Sequence, residues 1–343
     1  MIASIGLELA ERAWIPDAAI RAGIRRLCRR READLPGADA REAWIENHLD
    51  EMHKGPVANV PEAANEQHYE VPADFFKHCL GPRLKYSSCL FEKASTLEEA
   101  EIEALESTCA HADLSDGQDI LELGCGWGSL TLWMAEHYPS SNITAVSNSH
   151  GQRAHIEEEC RRRDLTNVRI ITADMNEFNT SEQFDRLVSI EMFEHMHNWN
   201  QLFQRARSWM HDQSSMLIHV FCHKDTPYFF EDKGTGDWMA RHFFSGGQMP
   251  SLDLPGRLGE HLQLEQMWQW NGEHYARTAE AWLDELDRNQ QAARAALMTG
   301  RPGVDPRREV QRWRMFFMAC AELFGLDNGK TWLVGHFKLT PSA

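Results

Sequence analysis

The chain has 343 residues, enough to bury a sizeable core, and a formal net charge of −17. So acidic a chain is a poor candidate for binding nucleic acid or an anionic membrane, and a neutral or cationic small molecule fits better. It lacks the run of about 18 apolar residues that spans a membrane and the apolar core of a signal peptide. Its eight cysteines have no zinc-ligand spacing, so we expect reduced thiols in a cytoplasmic protein.

Residues 1–50 are predicted to be helical, with breaks at Pro16 and Pro36. A basic run from Arg21 to Arg31 carries one apolar stripe, and we interpret it as a solvated helix face rather than a membrane contact. A connector follows at 54–66 because it is rich in Pro and Gly. We therefore predict three parts: an N-terminal helical extension, a helical cap that contributes to a cofactor site, and the main domain. Their bounds are 1–65, 66–115 and 116–343.

Strands and helices alternate in the main domain. The predicted strands are 120–123, 142–147, 168–172, 185–190 and 216–221, with helices at 129–138, 150–163 and 199–211. Such alternation predicts an α/β fold with a mostly parallel sheet, whose ligand lies beyond the carboxyl ends of the strands. An irregular lid is predicted at 222–260, then a strand at 262–270, helices within 276–298 and 306–324, and a last strand at 331–339.

A glycine turn ends the first of these strands. Gly124, Gly126 and Gly128 form a G-x-G-x-G pattern preceded by Glu122, and a helix pattern follows at once. Strand, glycine turn and helix form a layout that cradles a nucleotide, because glycine lets the backbone approach the ligand closely. Ser129 stands where dinucleotide folds need their last glycine, which argues against a nicotinamide oxidoreductase. The alternative is a purely structural turn.

The next two strands end in polar residues. Ser147, Asn148 and Gln152 follow the second strand and offer neutral partners to a ribose, since no carboxylate stands there. Asp174 after the third strand can accept from an adenine amino group, with Met175 against the ring. The alternative for Asp174 is a turn cap.

A cluster of carboxylates and imidazoles follows the fourth strand. Glu191, Glu194, His195 and His197 lie within seven residues beside Phe193. An apolar setting raises the pKa of a carboxyl, which suits a general base near neutral pH. The two histidines are two residues apart and would point differently on a helix, so we expect no metal. The alternative is a set of caps for the next helix.

Further segments join these motifs in one order. They are residues 67–72, 84–89 (Leu-Lys-Tyr-Ser-Ser-Cys), 219–224 (His-Val-Phe-Cys-His-Lys) and 274–278. From about residue 66 to the C-terminus the chain resembles the cyclopropane-fatty-acid-synthase superfamily of S-adenosylmethionine-dependent methyltransferases, and within it the coclaurine-type N-methyltransferase branch. The resemblance implies a Rossmann-like class I fold with a mostly parallel seven-stranded sheet.

The resemblance also assigns residues. It implies that the cofactor is held by Tyr86, Ser87, Glu122, Gly124, Gly126, Gly128, Asn148, Gln152, Asp174, Met175 and Ile190. The catalytic group would be Glu191, Glu194, His195, His219 and Tyr275, and the acceptor pocket Ser88, Phe193, Phe221, Trp238 and Phe243.

Two branches of the family imply different bases. In the synthases a bicarbonate ion is the base, and its ligands correspond here to Ser88, Glu194, His219 and Tyr275 with a backbone contact near Phe221. In the N-methyltransferases the residues corresponding to Glu194 and His195 are the acid/base pair instead. The chain has Ser88 where the synthases have Cys and Glu191 where they usually have Gly. These departures favour an amine acceptor over an alkene.

The sequence therefore predicts an S-adenosylmethionine-dependent methyltransferase that acts on a small amine. Synthase-like transfer to an unsaturated acyl chain is the alternative, together with its bicarbonate, and a non-catalytic ligand-binding protein is a third. We expect no nucleic acid partner and no stable membrane association. A homodimer remains open.

Overall fold

The computed structural model describes residues 2–59, 71–232, 234, 237–301 and 303–342. Its N-terminal part consists of helices α1 (Ile2–Glu11), α2 (Asp17–Asp34) and α3 (Ala38–Met52). The breaks between them fall at the two prolines, as predicted: Pro16 is the residue before α2, and Pro36 precedes Gly37 at the start of α3. The predicted boundary at residue 65 and the motif residues 67–70 lie outside the described residues.

A seven-stranded sheet forms the centre of the molecule. Its strands are β1 (Asp119–Leu123), β2 (Asn142–Ser147), β3 (Val168–Thr172), β4 (Phe184–Ile190), β5 (Met210–His223), β8 (Leu262–Trp270) and β9 (Trp332–Pro341). Their order is β3-β2-β1-β4-β5-β9-β8. The first five are parallel, and β9 and β8 add antiparallel. The order reverses between β1 and β4, which is where such folds bind ligands.

Helices cover the sheet and carry the cap. They are α4 (Ala73–Phe76), α5 (Leu97–His111), α6 (Ser129–His137), α7 (His150–Arg162), α8 (Trp199–Ser208), α11 (Gly272–Arg288), α12 (Gln290–Gly300) and α13 (Pro306–Phe324). Thr96 caps α5 and forms a capping box with Glu99. The helix predicted over 276–298 is two helices instead. They separate at Asn289, whose side chain donates to the Glu285 carbonyl and closes the end of α11.

Among the described residues of the predicted lid, 222–260, the elements that follow the end of β5 are short. They are β6 (Tyr228–Phe229), α9 (Trp238–His242), β7 (Gln248–Met249) and α10 (Leu254–Arg257). Its contacts to the N-terminal helices are polar and specific: Trp238 Nε1–H donates to Glu11 at 2.9 Å, Trp44 Nε1–H to the Pro227 carbonyl at 2.7 Å, and His48 Nε2 meets Gln248 Oε1 at 2.8 Å. The N-terminal helices therefore hold the lid in place.

The arginines of α2 are partly engaged in ion pairs. Arg21 bonds Glu280 at 2.6 Å and Glu322 at 3.1 Å, and Arg25 bonds Glu322 at 2.8 Å. One side of the basic run thus holds α2 against α11 and α13, and the other side is solvated. In the part of the chain that the structure describes, no helix is long and apolar enough to cross a membrane.

Candidate active site

A cavity opens at the carboxyl ends of β1, β2 and β4. Ten of the predicted cofactor residues line it: Tyr86, Ser87, Glu122, Gly124, Gly126, Asn148, Gln152, Asp174, Met175 and Ile190. Glu191, His195 and Tyr275 from the predicted catalytic group and Phe221 from the predicted acceptor pocket also line it. The structure thus brings together residues from widely separated parts of the chain.

The glycine turn is shaped for close approach. Gly124, Gly126 and Gly128 all have positive φ, at 78°, 52° and 81°. A Cβ at Gly126 would meet no atom within 4 Å, so this position faces open cavity. A Cβ at Gly128 would lie 2.7 Å from Ile156. Gly128 therefore serves the packing of α6 against α7, and it is the one predicted cofactor residue that is not among those lining the cavity.

Polar groups after β2 and β3 form a second wall. Ser147 Oγ–H donates to Gln152 Oε1 at 2.7 Å, and Ser149 caps α7 by accepting from the Gln152 N–H. Asp174 lines the cavity, but its Oδ1 accepts from the Asn176 N–H at 2.7 Å. Asp174 thus caps the turn, as the alternative prediction has it, and its second carboxylate oxygen can still contact a ligand.

The loop that carries Tyr86 and Ser87 is fixed by buried bonds. The backbone N–H groups of Arg83 and Lys85 donate to Glu101 of α5, at 2.8 and 3.2 Å. Lys85 Nζ donates to Ser87 Oγ at 2.7 Å and to the Ser88 carbonyl at 2.6 Å. Because these bonds use polar groups at both ends of the loop, its backbone is held against the cavity.

Glu191 lies at the centre of a buried polar cluster. Its Oε1 accepts from the Ser88 N–H at 2.8 Å and lies 3.2 Å from His219 Nε2, and its Oε2 accepts from Tyr275 OH at 2.7 Å. Its side chain is only 8% exposed. These three partners are residues that the family resemblance gives as bicarbonate ligands, and here they contact the Glu191 carboxylate.

The backbone at Glu191 is unusual as well. Its φ is 48°, in the left-handed region that favours glycine. A non-glycine residue there costs about 1–2 kcal/mol. A glycine at this position, as the synthases usually have, would avoid that strain but would leave the cluster without its carboxylate. The strain is tolerated because the bonds to Ser88 and Tyr275 hold the carboxylate in place.

Glu194 has a different environment. It is fully buried, its Oε1 accepts from the Phe221 N–H at 2.7 Å, and its Oε2 has no partner among the described residues. It does not line the cavity, whereas the neighbouring His195 does, with its ring stacked on Phe244 at 5.6 Å.

The two carboxyls divide the charge unequally. Burial raises the pKa of Glu194 well above its usual range, and the nearby Glu191 raises it further. Burial also raises the pKa of Glu191, but the Lys85 ammonium and the bonds from Ser88 and Tyr275 oppose that shift. Since Glu191 accepts from two donors and lies near the Lys85 ammonium, whereas Glu194 accepts from one donor, we assign the proton to Glu194 and the negative charge to Glu191.

Four residues predicted for the acceptor pocket lie elsewhere. Phe193 is fully buried and packs on Trp199 and Phe203 beneath the cavity floor. Trp238 bonds Glu11, and Phe243 stacks on Phe316 at 4.2 Å, so both join the lid to the helices around it. Ser88 contributes its backbone N–H instead of its side chain, and the predicted catalytic His219 lies behind Glu191.

Sequence reasoning missed several lining residues. They are Leu84, Lys85, Met192, Met196, Phe244, Ser245 and Phe316. Phe243 and Phe244 are adjacent in the predicted lid, and of these two Phe244 lines the cavity whereas Phe243 does not. Phe316 comes from α13, far along the chain, and the one signal for it is the run of aromatics in that helix.

The cavity fits a cofactor without phosphate groups. Among the described lining residues the single ammonium or guanidinium group is that of Lys85, and its Nζ is already bonded to Ser87 and Ser88. Phosphate sites commonly use several such groups. The start of α6 at Ser129 also borders the cavity, so it is the shortage of cationic side chains that disfavours phosphate. Carboxylate, amide and aromatic walls instead suit a sulfonium, and the open space above Gly126 accommodates a ligand.

Comparison with known proteins agrees with this arrangement. The family described as mycolic acid cyclopropane synthetase matches residues 58–332. An (S)-coclaurine N-methyltransferase of Thalictrum flavum subsp. glaucum is 36% identical over 299 residues, which cover 86% of this chain and 83% of that protein. The cyclopropane-fatty-acyl-phospholipid synthase of Escherichia coli (strain K12) is 28% identical over 277 residues, 77% of this chain and 68% of that one.

A solved structure matches the whole fold. A crystal structure of coclaurine N-methyltransferase bound to N-methylheliamine and SAH superposes with a TM-score of 0.95 at 33% identity, covering 99% of this chain and 100% of that one. A cyclopropane synthase from Mycobacterium tuberculosis superposes with a TM-score of 0.68 at 25% identity, covering 82% and 98%.

Proposed function

The chain belongs to the mycolic acid cyclopropane synthetase family and is an S-adenosylmethionine-dependent methyltransferase, and from this premise we propose that it methylates the nitrogen of a small alkaloid-like amine. The prediction of family, fold and enzyme class made from the sequence is thereby confirmed. The N-methyltransferase relatives are the more similar in identity, coverage and TM-score.

One observation carries the choice of an amine. Glu191, with a raised pKa, lies in the cavity wall where it can meet a cationic nitrogen. An amine arrives as an ammonium ion and must lose a proton before it can attack a methyl group, and a carboxylate with a pKa nearer neutrality is suited to take that proton. Phe221, Phe244 and Phe316 line the same cavity and supply aromatic surface for the cation.

Residues of the glycine turn and of the segments after β2 and β3 would hold the cofactor. Gly124 and Gly126 would contact it closely, Asn148 and Gln152 would hold its ribose, and Asp174 and Met175 would flank its adenine. When bound, S-adenosylmethionine supplies an electrophilic methyl group on its sulfonium. The protein then contributes mainly the alignment of the amine with that group.

Glu191 also replaces the bicarbonate ion in this proposal. Its carboxylate already accepts from the Ser88 N–H and Tyr275 OH, and it contacts His219 Nε2. A second anion at this point would meet a buried like charge, which is unfavourable. We therefore expect the enzyme to work without bicarbonate.

Heliamine, the parent of the amine in the structural neighbour, is the first acceptor to test. The purified protein and S-adenosylmethionine should yield N-methylated product in buffer stripped of carbonate, and added bicarbonate should leave the rate unchanged. Vesicles of unsaturated phospholipid serve as the competing acceptor. Bicarbonate-dependent methylene transfer to those vesicles, with no amine methylated across a panel of secondary and tertiary amines, would refute the proposal.

A further inference from the structure

Three histidines lie in a row behind Glu191. His219 on β5 and His336 on β9 are directly paired across the sheet, with ring centroids 4.5 Å apart. His111 ends α5, and its Nδ1 lies 2.9 Å from His336 Nδ1. The row runs from Glu191, which His219 contacts at 3.2 Å, to the half-buried His111.

Two ring nitrogens in this row lack partners. His219 Nδ1 and His336 Nε2 are buried and have no hydrogen-bond partner within the described part of the chain. They belong to adjoining rings. His219 uses its other nitrogen to contact Glu191, and His336 uses its other nitrogen to contact His111. A buried unpaired ring nitrogen costs free energy, so two in neighbouring rings call for an explanation. The centroids of the two rings are 4.5 Å apart, and the relay proposed below requires a ring rotation that brings the two nitrogens within hydrogen-bond distance.

We propose that His219, His336 and His111 form a relay that carries the acceptor's proton from Glu191 to solvent. The inference rests on the proposed function, because only an acceptor that arrives as an ammonium ion delivers a proton to Glu191. Acceptor and cofactor would occupy the cavity that Glu191 lines, so the proton needs a second route to solvent. The row of imidazoles offers a path through the opposite side, where Trp268 packs on His111 and Trp270 on His336.

The transfers balance at each atom. The acceptor's N–H bond breaks and an O–H bond forms on Glu191, which then gives its proton to His219 Nε2. His219 Nδ1–H passes to His336 Nε2, His336 Nδ1–H passes to His111 Nδ1, and His111 Nε2–H is released to water. One proton leaves per turnover, and ring reorientation restores the starting tautomers. The relay requires these reorientations to be faster than turnover, which is typically about 10 s⁻¹.

The surroundings keep the relay neutral between transfers. Burial lowers the pKa of His219 and of His336 well below their usual value. Lys85 faces His219 and His336 and lowers the pKa of both, while Glu191 and Tyr275 lie at the inner end. On the strand that carries His336, Lys338 is paired with Asp113 and Glu265. A neutral imidazole has one donor and one acceptor, which is what a relay requires.

The chain offers a matched control for the outer histidine. His111 and His137 are each the last residue of a helix, and each stacks on a tryptophan, at 4.0 Å and 3.8 Å. His137 bonds the Trp133 carbonyl and lies outside the row that leads from Glu191. Replacing either with glutamine removes a tryptophan-stacked imidazole from a helix end, so general damage should appear in both variants.

The test measures first-turnover proton release with a pH-indicator dye in weak buffer, beside methyl transfer to heliamine in the same mixing experiment. In the parent and in His137→Gln, we expect one proton per site to appear at the rate of methyl transfer. In His111→Gln and in His336→Phe, release should lag at least threefold behind. Added imidazole should restore the rate for His111→Gln, whose site it can reach, and not for the buried His336→Phe.

Two results would overturn the relay. One is release in step with methyl transfer in every variant. The other is a delay that His137→Gln shares or that imidazole does not relieve in His111→Gln. If His336→Phe does not fold, the comparison of His111→Gln with His137→Gln alone decides. Failure of the parent to methylate any amine would instead refute the proposed function, so the two failures are distinguishable.

Discussion

Replacing Glu191 with glutamine separates its chemical role from its place in the fold. The Glu191→Gln side chain is nearly isosteric with the carboxylate: its carbonyl oxygen can accept from the Ser88 N–H, and its amide can donate to Tyr275 OH. The left-handed backbone at φ 48° is unchanged in kind. We therefore expect the variant to fold and to bind S-adenosylmethionine as the parent does.

The loss should fall on turnover. Removing a general base typically lowers the rate by about 10²–10⁴, which corresponds to about 3–5 kcal/mol in the barrier. The parent's kcat/KM should fall as pH drops through the raised pKa of Glu191, because the carboxyl of the free enzyme is then protonated before substrate binds. The variant should lack this acid limb. The measurement is kcat and kcat/KM with heliamine from pH 5 to 9, together with calorimetric cofactor affinity.

Glu194→Gln is the informative partner. Since Glu194 already holds a proton in our assignment, an amide there should cost less than about tenfold in kcat. The family resemblance points the other way, to Glu194 and His195 as the acid/base pair. A Glu191→Gln variant that keeps its acid limb and most of its kcat, beside an inactive but folded Glu194→Gln, would refute our assignment of the charge.

Three further outcomes test separate features. Gly126→Val should abolish cofactor binding, since its side chain enters open cavity at a φ of 52°; calorimetry that finds parent-like affinity would contradict the assigned loop. Burial raises the pKa of Glu122 to about 8, so its folded form holds a proton that the unfolded chain loses above about pH 4.5. The free energy of unfolding should thus decline by up to about 1.4 kcal/mol per pH unit as pH rises between those values. Urea unfolding at pH 5 and pH 8 should show a smaller difference in this free energy for Glu122→Gln than for the parent, and equal differences would contradict the prediction. Thr96→Ala should lower the unfolding free energy by about 1 kcal/mol, because it removes one half of the capping box of α5, and an unchanged urea midpoint would mean that the cap carries no net energy.

Much of the fold was predictable because its signals are local. Strands β3 and β8 have the predicted bounds, since an apolar or alternating run ends at turn residues on both sides. The start of β5 was not predictable in this way. Residues 211–213 are polar and exposed, so they carry no apolar pattern, yet they continue the strand from Met210. The split of the long helix at Asn289 depends on a side-chain bond that periodicity cannot reveal.

The site shows the same difference between local patterns, which could be predicted, and long-range contacts, which could not. The glycine turn and the Glu191–His195 cluster are contiguous in sequence and could be found there. The partners of Glu191 come from residues 88, 219 and 275, and only the family resemblance suggested that they meet. His336 and His111 carried no signal at all, because their roles depend on the pairing of β9 with β5 and on where α5 ends.

The contacts between the N-terminal helices and the lid have a consequence for how such enzymes diversify. Glu11 bonds Trp238, and Glu32 bonds both His223 and Lys224, at 2.9, 2.8 and 2.6 Å. A lid transplanted from another member would meet unmatched carboxylates on α1 and α2, and so would a foreign N-terminal segment. The two must change as a pair, although the whole first half of the sheet lies between them in the chain. Changes of acceptor preference that alter the lid should therefore be accompanied by changes in α1 and α2, and engineered chimeras should exchange both segments together.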